Sequence, residues 1–374
     1  MKNISFSSPD IINEDIQAVI EVIKSGWLIH GKYSKTLEEL FCEFTGANYA
    51  ATVSNCTAGL HLSCLSAGFG KGDEVIIPAQ THTATAHAIE YTGAKPIFAD
   101  VDTISGNICV DDLESKLTEK TKGIIPVHMA GYPCDMERIK KISINNNLIL
   151  IEDCAHSIGT TFDNKHVGTF GQAGCFSFYP TKQITTGEGG IVITNEKIFI
   201  EKINKLKAFG IDAPPKQRSM PGLYDVKELG YNYRMTDFQA ALGVGQMKRY
   251  STNLQIRKKN AKLYCDLLKN EDKILLNNFH DDCSYFLYQI VLSHDVNRDQ
   301  VLLYLKENGI GVSIHYANPV PLMSYYKNKY GYSKGNFINA EYYSNKNISL
   351  PVHAKLSNED IKYICRVISA ALRL

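Results

Sequence analysis

Lys182 is the residue around which the chemistry of this chain gathers. It follows an apolar run, Cys175-Phe176-Ser177-Phe178, closed by Tyr179-Pro180-Thr181, and precedes Gly187-Glu188-Gly189-Gly190 and a second β-branched run, Ile191-Val192-Ile193-Thr194. Pro180 cannot donate to a sheet ladder and forces a turn, while the glycines permit tight backbone before the second strand. Lysine ordinarily belongs on a solvated face. Alone in a hairpin it is a surface residue. On a rigid turn between two buried strands it becomes an amine of lowered pKa, able to form a Schiff base.

A second stretch separates these readings. Asn147-Leu148-Ile149-Leu150-Ile151-Glu152-Asp153-Cys154-Ala155-His156 is an apolar strand ending in two acids and a histidine. Ligands of open α/β sheets sit beyond the carboxyl ends of the strands, so Asp153 stands where a buried carboxylate can pair with a cofactor cation. An amine for an aldehyde and a carboxylate for a pyridinium nitrogen are what pyridoxal 5'-phosphate takes from its protein. These two stretches, from Glu152 to His156 and from Phe176 through Lys182 to Gly190, resemble the signatures of the PLP-dependent nucleotide-sugar aminotransferases of the DegT/DnrJ/StrS type.

The resemblance implies a fold-type I PLP transferase, and it assigns further residues. Val53-Ser54-Asn55-Cys56-Thr57-Ala58 ends a strand and opens a helix, whose exposed amides suit a phosphate; Cys56 stands where many members have glycine, and Thr57 supplies a hydroxyl. His82 takes the position of a ring-stacking residue, which is often a larger aromatic in relatives. His156 aligns with a residue bonded to the cofactor's phenolic oxygen, and Ser177 with a phosphate ligand. In Tyr231-Asn232-Tyr233-Arg234-Met235-Thr236-Asp237-Phe238-Gln239, Thr236 and Gln239 read as a capping box. The family's use of Asn232 is to reach the phosphate in the neighbouring subunit. Tyr179, Arg234, His315 and Tyr316 would face the nucleotide sugar, whereas Pro126-Val127-His128-Met129-Ala130-Gly131 is architectural. The segment 26–32 around Trp27 reads as a packing loop that the resemblance turns toward substrate. The match covers roughly residues 10 to 370, with 211–229 the most private part.

The elements that must position these residues follow from periodicity. Asp10 to Ser25 has a helical apolar face (Ile12, Ile16, Val19, Ile20, Ile23) stopped by Gly26, and Ser34 reads as the cap of a helix with face Leu37, Leu40, Phe41 and Phe44. Strands are expected at 49–53, 74–77, 95–99, 123–127, 147–151, 175–178 and 191–194. Helices are expected near 58–66, 84–91, 112–117 and 136–144. Such alternation predicts a mostly parallel central sheet with helices on both faces. Beyond about residue 250 the pattern shifts to a helix over 258–268, a strand over 285–293, a helix capped by Asn297 and a last helix capped by Ser357. The expected division is a large α/β domain, 1–250, and a smaller C-terminal α+β domain, 251–374.

The 374 residues carry 40 basic and 39 acidic side chains, a net charge of +1 that gives no electrostatic footprint for nucleic acid or an anionic membrane. The ten cysteines lack any Cys-x-x-Cys pair, which suits reduced thiols in a cytoplasmic protein and no metal site. No membrane-length apolar run and no signal-peptide core is present. The expected reaction moves an amino group from L-glutamate to a keto-sugar nucleotide, a 4-keto-6-deoxy sugar first of all, in a homodimer with shared sites. Rival readings are a sugar dehydratase of the same fold, an amino-acid enzyme of fold-type I, and a regulatory relative without turnover. Dehydratase relatives replace the lysine by histidine, and this chain keeps Lys182.

Overall fold

The computed structural model describes residues 3–211, 220 and 222–373. Parts of the private segment, 212–219 and residue 221, lie outside the described residues. In chain order the first elements are α1 (Asn13–Ser25), α2 (Lys32–Thr45), β1 (Tyr49–Val53), α3 (Cys56–Ser66), β2 (Glu74–Pro78), α4 (Thr83–Glu90), β3 (Lys95–Ala99), α5 (Val110–Ser115), β4 (Thr121–Ile124), α6 (Met136–Asn145) and β5 (Ile149–Asp153). A short hairpin, β6 (Thr161–Phe162) and β7 (Lys165–His166), precedes β8 (Ala173–Ser177), β9 (Gly190–Thr194), α7 (Lys197–Leu206) and α8 (Asp237–Leu268). The remainder is β10 (Ile274–Leu275), β11 (Tyr288–Leu292), α9 (Arg298–Glu307), α10 (Ser324–Tyr330), α11 (Ile338–Lys346), β12 (Asn347–Leu350) and α12 (Asn358–Ala371).

Seven strands form one sheet in the order β1-β9-β8-β5-β4-β2-β3. Only β9 opposes the others, so β1, β2, β5 and β8 deliver their carboxyl ends to one edge. The expected mostly parallel sheet is therefore present. Its central strands read as continuous apolar runs because both faces are covered; Val75, Ile76, Ile77, Ile151, Cys175 and Val192 are all buried. A second, antiparallel sheet, β10-β11-β12, packs Ile290, Leu292, Ile348 and Leu350 against Leu305, Ile361, Ile364 and Ile368 of α9 and α12.

Three local expectations are corrected. Ser34 does not cap α2, which begins at Lys32 after Gly31. The capping group is the buried carboxylate of Asp237, far away in sequence, which accepts from the amides of Gly31 (3.0 Å), Tyr33 (3.3 Å) and Ser34 (2.8 Å) and from the Ser34 hydroxyl (2.9 Å). Each bond from a neutral donor to a charged acceptor contributes about 1.5–3 kcal/mol, so this carboxylate clamps the start of α2 to the start of α8. In α1 the apolar face is not the packed face: Asp15 and Val22 are buried, while Ile12, Ile16 and Ile23 are exposed. Asp15 turns inward because Arg249 of α8 pairs with it, Nη1 to Oδ1 at 2.9 Å. Finally, the helix expected at 258–268 is the last third of α8, 32 residues long. Residue 250 lies in its middle.

Other boundaries hold to within three residues. Gly26 closes α1 in the left-handed conformation (φ 72°), and Thr236 with Gln239 forms the capping box of α8. Gly190 is required by close approach: a Cβ there would stand 2.7 Å from the Cys56 nitrogen and 2.8 Å from the Phe176 carbonyl oxygen. That approach brings the β8–β9 loop against the start of α3.

Candidate active site

Between β8 and β9 the chain reverses over Tyr179-Pro180-Thr181-Lys182, with the Lys182 amide donating to the Tyr179 carbonyl at 2.9 Å. Pro180 occupies the second turn position, which its fixed φ favours. The turn carries Lys182 to the carboxyl edge of the sheet, into a cleft of about 690 Å³. Cys56, Thr57, His82, Asp153, Ser177, Tyr179, His315 and Tyr316 line the same cleft. Eight residues named from sequence thus converge around the ninth.

Lys182 Nζ lies 4.4 Å from the centre of the Phe286 ring and, among the described residues, has no hydrogen-bond or ion-pair partner. Burial drives its pKa down from 10.5 to about 8, against opposing pulls from Cys56 and Asp153. About a tenth of the amine is therefore neutral at pH 7, far more than for an ordinary lysine, as a nucleophile requires.

Asp153 ends β5 rather than following it. Its Oδ2 accepts from the Thr85 hydroxyl (2.8 Å) and its Oδ1 from the Ala155 amide (3.1 Å). Burial raises its pKa despite both bonds, so the site holds a carboxylate that lacks a full cationic counterpart. The strand end is braced by Glu152, which accepts from the amides of Gly168 (2.7 Å), Phe170 (2.7 Å) and Gly171 (3.0 Å) and meets His128 Nε2 at 3.3 Å. His128, Glu152 and Cys154 bring ligand atoms within 4.8 Å of one another, yet the Glu152 oxygens are taken by these amides and His128 Nδ1 by the Cys134 amide. A bracing network explains this cluster without a metal.

At the start of α3, Asn55 caps the helix by accepting from the Ala58 amide (2.8 Å). Cys56 and Thr57 are the first two helical residues, whose amides have no partner within the helix. Burial pushes the Cys56 thiol well up, so its side chain adds no negative charge there. Ser177, at the end of β8, accepts from the Tyr179 amide at 3.3 Å.

The cleft histidines, His82, His156 and His315, are neutral. His82 caps α4, accepting the Ala84 amide on Nδ1 (3.1 Å), and burial lowers its pKa. His315 stacks on Phe6 (5.8 Å, 22°), meets Ser349 Oγ through Nδ1 (3.0 Å), and is driven by burial to about 3. His156 sits behind the cleft wall, stacked on Phe286 at 4.4 Å, with Nε2 3.1 Å from the Tyr316 hydroxyl.

Asn232 and Arg234 are not brought to this cleft within the chain. Arg234 donates to Asn232 Oδ1 from Nε (3.2 Å) and Nη2 (3.0 Å), and its guanidinium lies 5.1 Å from the Phe209 ring. The segment alternates: Tyr231 and Tyr233 pack on His61, while Asn232 and Arg234 bond to each other at the exposed surface.

Sequence reasoning missed Asn55, Thr85, Phe286 and Gln80. Thr85 had a signal, since Thr81 lies one helical turn before it and their hydroxyls meet at 2.8 Å. Gln80 donates to the Tyr316 carbonyl (2.9 Å) and accepts from Ser344 (2.7 Å), fixing the 311–319 loop over the cleft. Phe286 had no local signal.

The residues fit pyridoxal phosphate. A poised, unpartnered amine, a buried carboxylate short of a cation, and a helix start free of acidic side chains match the aldehyde, ring nitrogen and phosphate of that group. Fold and site together define a PLP-dependent aminotransferase of fold-type I.

Comparison with known proteins gives the family. Residues 9–369 match the DegT/DnrJ/EryC1/StrS aminotransferase family, and the chain belongs to it. It is 37% identical to a GDP-perosamine synthase from Escherichia coli over 373 residues, covering 99% of this chain and 98% of the other. It is also 37% identical to the spore coat polysaccharide biosynthesis protein SpsC of Bacillus subtilis, covering 95% and 94%. Among solved structures, the Helicobacter pylori aminotransferase PseC, of pseudaminic acid biosynthesis, superposes with a TM-score of 0.92 at 30% identity over 100% of both chains. The protein is a PLP-dependent sugar aminotransferase. Among the described residues no helix is long and apolar enough to cross a membrane.

Proposed function

We propose that this enzyme transfers the amino group of L-glutamate to a nucleotide-linked keto sugar, a 4-keto-6-deoxy sugar first of all, with Lys182 and Asp153 as the catalytic residues. The observation that carries this is the cleft shared by Lys182, Asp153 and the free start of α3. Bound there, PLP supplies the electron sink and carries the amino group between donor and acceptor.

Lys182 would anchor the aldehyde and, once released, move the proton on and off the substrate carbon that bears nitrogen. Asp153 would keep the ring nitrogen protonated, the partner its raised pKa lacks. Cys56 and Thr57 amides, the Thr57 hydroxyl and Ser177 would hold the phosphate, and His82 would cover the ring face. Tyr179, His315 and Tyr316 would border the sugar.

The dimer reading has two supports. Asn232 and Arg234 face outward from a loop whose alternate residues are locked to His61. Ile12, Ile16, Trp27, Leu28 and Ile29 are exposed in the single chain, and a second copy would cover them. Each Asn232 and Arg234 would then complete the partner's cleft. We place the enzyme in the cytoplasm, where sugar nucleotides and reduced thiols coexist, and retain the 1–250 and 251–374 division, with α8 passing from one part to the other.

The direct test is incubation with L-glutamate and a panel of GDP-, UDP- and dTDP-linked keto sugars, read by mass spectrometry. The names of the E. coli and Vibrio cholerae relatives, GDP-perosamine synthase, put a GDP-linked sugar first. Amination of a keto sugar with release of 2-oxoglutarate is expected; turnover of amino acids alone would overturn the assignment. For shared sites, inactive Lys182→Ala and Asn232→Ala subunits, dissociated and recombined, should regain activity, since each mixed dimer contains one intact cleft. An inactive mixture with proven subunit exchange would exclude sharing.

A further inference from the structure

The Lys182 amine has no hydrogen-bond or ion-pair partner among the described residues, yet it is not without a contact. Nζ lies 4.4 Å from the centre of the Phe286 ring. The face of an aromatic ring carries negative charge density and attracts an ammonium, more strongly where water is excluded. Phe286 is buried, at 4% exposure.

Distant parts of the chain fix this ring. The segment before β11 is tied to the 129–131 turn, the Ser284 amide donating to the Gly131 carbonyl (3.2 Å) and the Phe286 amide to the Ala130 carbonyl (3.0 Å). Arg257 of α8, itself buried, donates from Nη1 to the carbonyls of Tyr285 (3.3 Å) and Phe286 (3.2 Å). Gln183, the residue after Lys182, donates from Nε2 to the Ser284 hydroxyl oxygen (2.9 Å). Ring and lysine are therefore coupled through their chain neighbours as well as by direct contact. His156 stacks on the ring (4.4 Å, 24°), and His315 stands at a right angle to it (5.8 Å, 88°), which holds its plane.

The titratable groups facing the amine are Cys56 on α3, His82 at the cap of α4, Asp153 on β5, His156 after it, and His315 with Tyr316 in the 311–319 loop. Tyr179 and Glu188, both exposed, line the cleft as well. Asp153 pulls on the ammonium from beyond ion-pair distance, and the three histidines are neutral. An amine that carries a proton to and from a carbon needs its charged form held without surrendering the proton to the holder. A carboxylate in direct contact would lock the ammonium in its charged form. A ring face attracts it and is no base.

We propose that Phe286 is a positioning residue for Lys182: the face of its ring holds the ammonium form at the cleft while leaving its proton free to move. The proposal rests on the role assigned to Lys182 above. Without the ring the ammonium loses its partner and burial remains, so the amine should give up its proton at lower pH.

The experiment titrates the Lys182 amine in cofactor-free wild type, Phe286→Leu, Phe286→Met and Phe286→Tyr. Trace acetic anhydride, which acylates only neutral amines, is applied across a pH series, and the Lys182 peptide is quantified by mass spectrometry. Wild type should give a midpoint of about 8. Phe286→Leu should lower it by about one pH unit, the scale of a desolvated contact between cation and ring. Phe286→Met, whose flexible chain fills irregular space, repeats the test should the leucine variant not fold. Phe286→Tyr retains the ring face and should restore most of the shift, and the pH profile of cofactor capture should move in parallel. A midpoint unchanged or raised in the ring-free variants, or a tyrosine variant that falls as far as they do, would overturn the proposal. Failure of borohydride to fix PLP to Lys182 in wild type would instead count against the underlying assignment, since the anhydride titration needs no cofactor.

Discussion

Lys182→Ala is expected to bind cofactor in its pyridoxamine form and yet lose turnover by about five to six orders of magnitude. The loss is this large because one group is both covalent anchor and proton carrier, and such groups do not fail additively. The neutral amine is the working form, and burial sets its pKa at about 8. In wild type, cofactor capture by the cofactor-free protein should therefore slow about tenfold per pH unit below 8. Stopped-flow absorbance measures this directly, and a rate flat from pH 6 to 9 would show that Lys182 is not the attacking amine.

Asp153→Asn should lower kcat by about three orders of magnitude, the scale on which one preorganised charged partner is felt. An amide can still accept from the Ala155 amide and, with the Thr85 hydroxyl turned to accept, donate to it, but it cannot hold the ring nitrogen protonated. The variant should not lose stability. Asp153 has a folded pKa raised by burial, so its ionised form opposes folding above that pKa and the opposition fades as pH falls through it. Removing the charge should leave the cofactor-free protein at least as stable at pH 7 in denaturant melts, while the catalytic loss persists. Near-normal kcat would refute the role.

The contrast between these two residues and their supports shows where sequence was informative. Lys182 and Asp153 were legible because each breaks a local rule, a charged side chain at the end of an apolar strand, and such breaks concentrate at functional sites. The parallel strands were legible for the same reason that they are buried, as continuous β-branched runs. Helix α8 was not read whole, because it buries residues on several faces (Ala240, Val244, Met247, Tyr250, Leu254, Asn260, Tyr264) and shows no single stripe. The misreading of Ser34 has a different origin: the true cap, Asp237, lies 203 residues away from it, and no local pattern records it. Phe286, Gln80 and the His156–Tyr316 pair were hidden likewise, since each reaches the cleft from another part of the chain. The Ile face of α1 was visible but its direction was not. Periodicity identifies an apolar face without saying whether the chain itself covers it.

The most direct measurement of the central claim is borohydride reduction of the PLP-loaded enzyme, followed by proteolysis and mass mapping of the phosphopyridoxyl group. The label should fall on the peptide that contains Lys182 and be absent from Lys182→Ala. A label on another lysine, or undiminished labelling in that variant, would contradict the account.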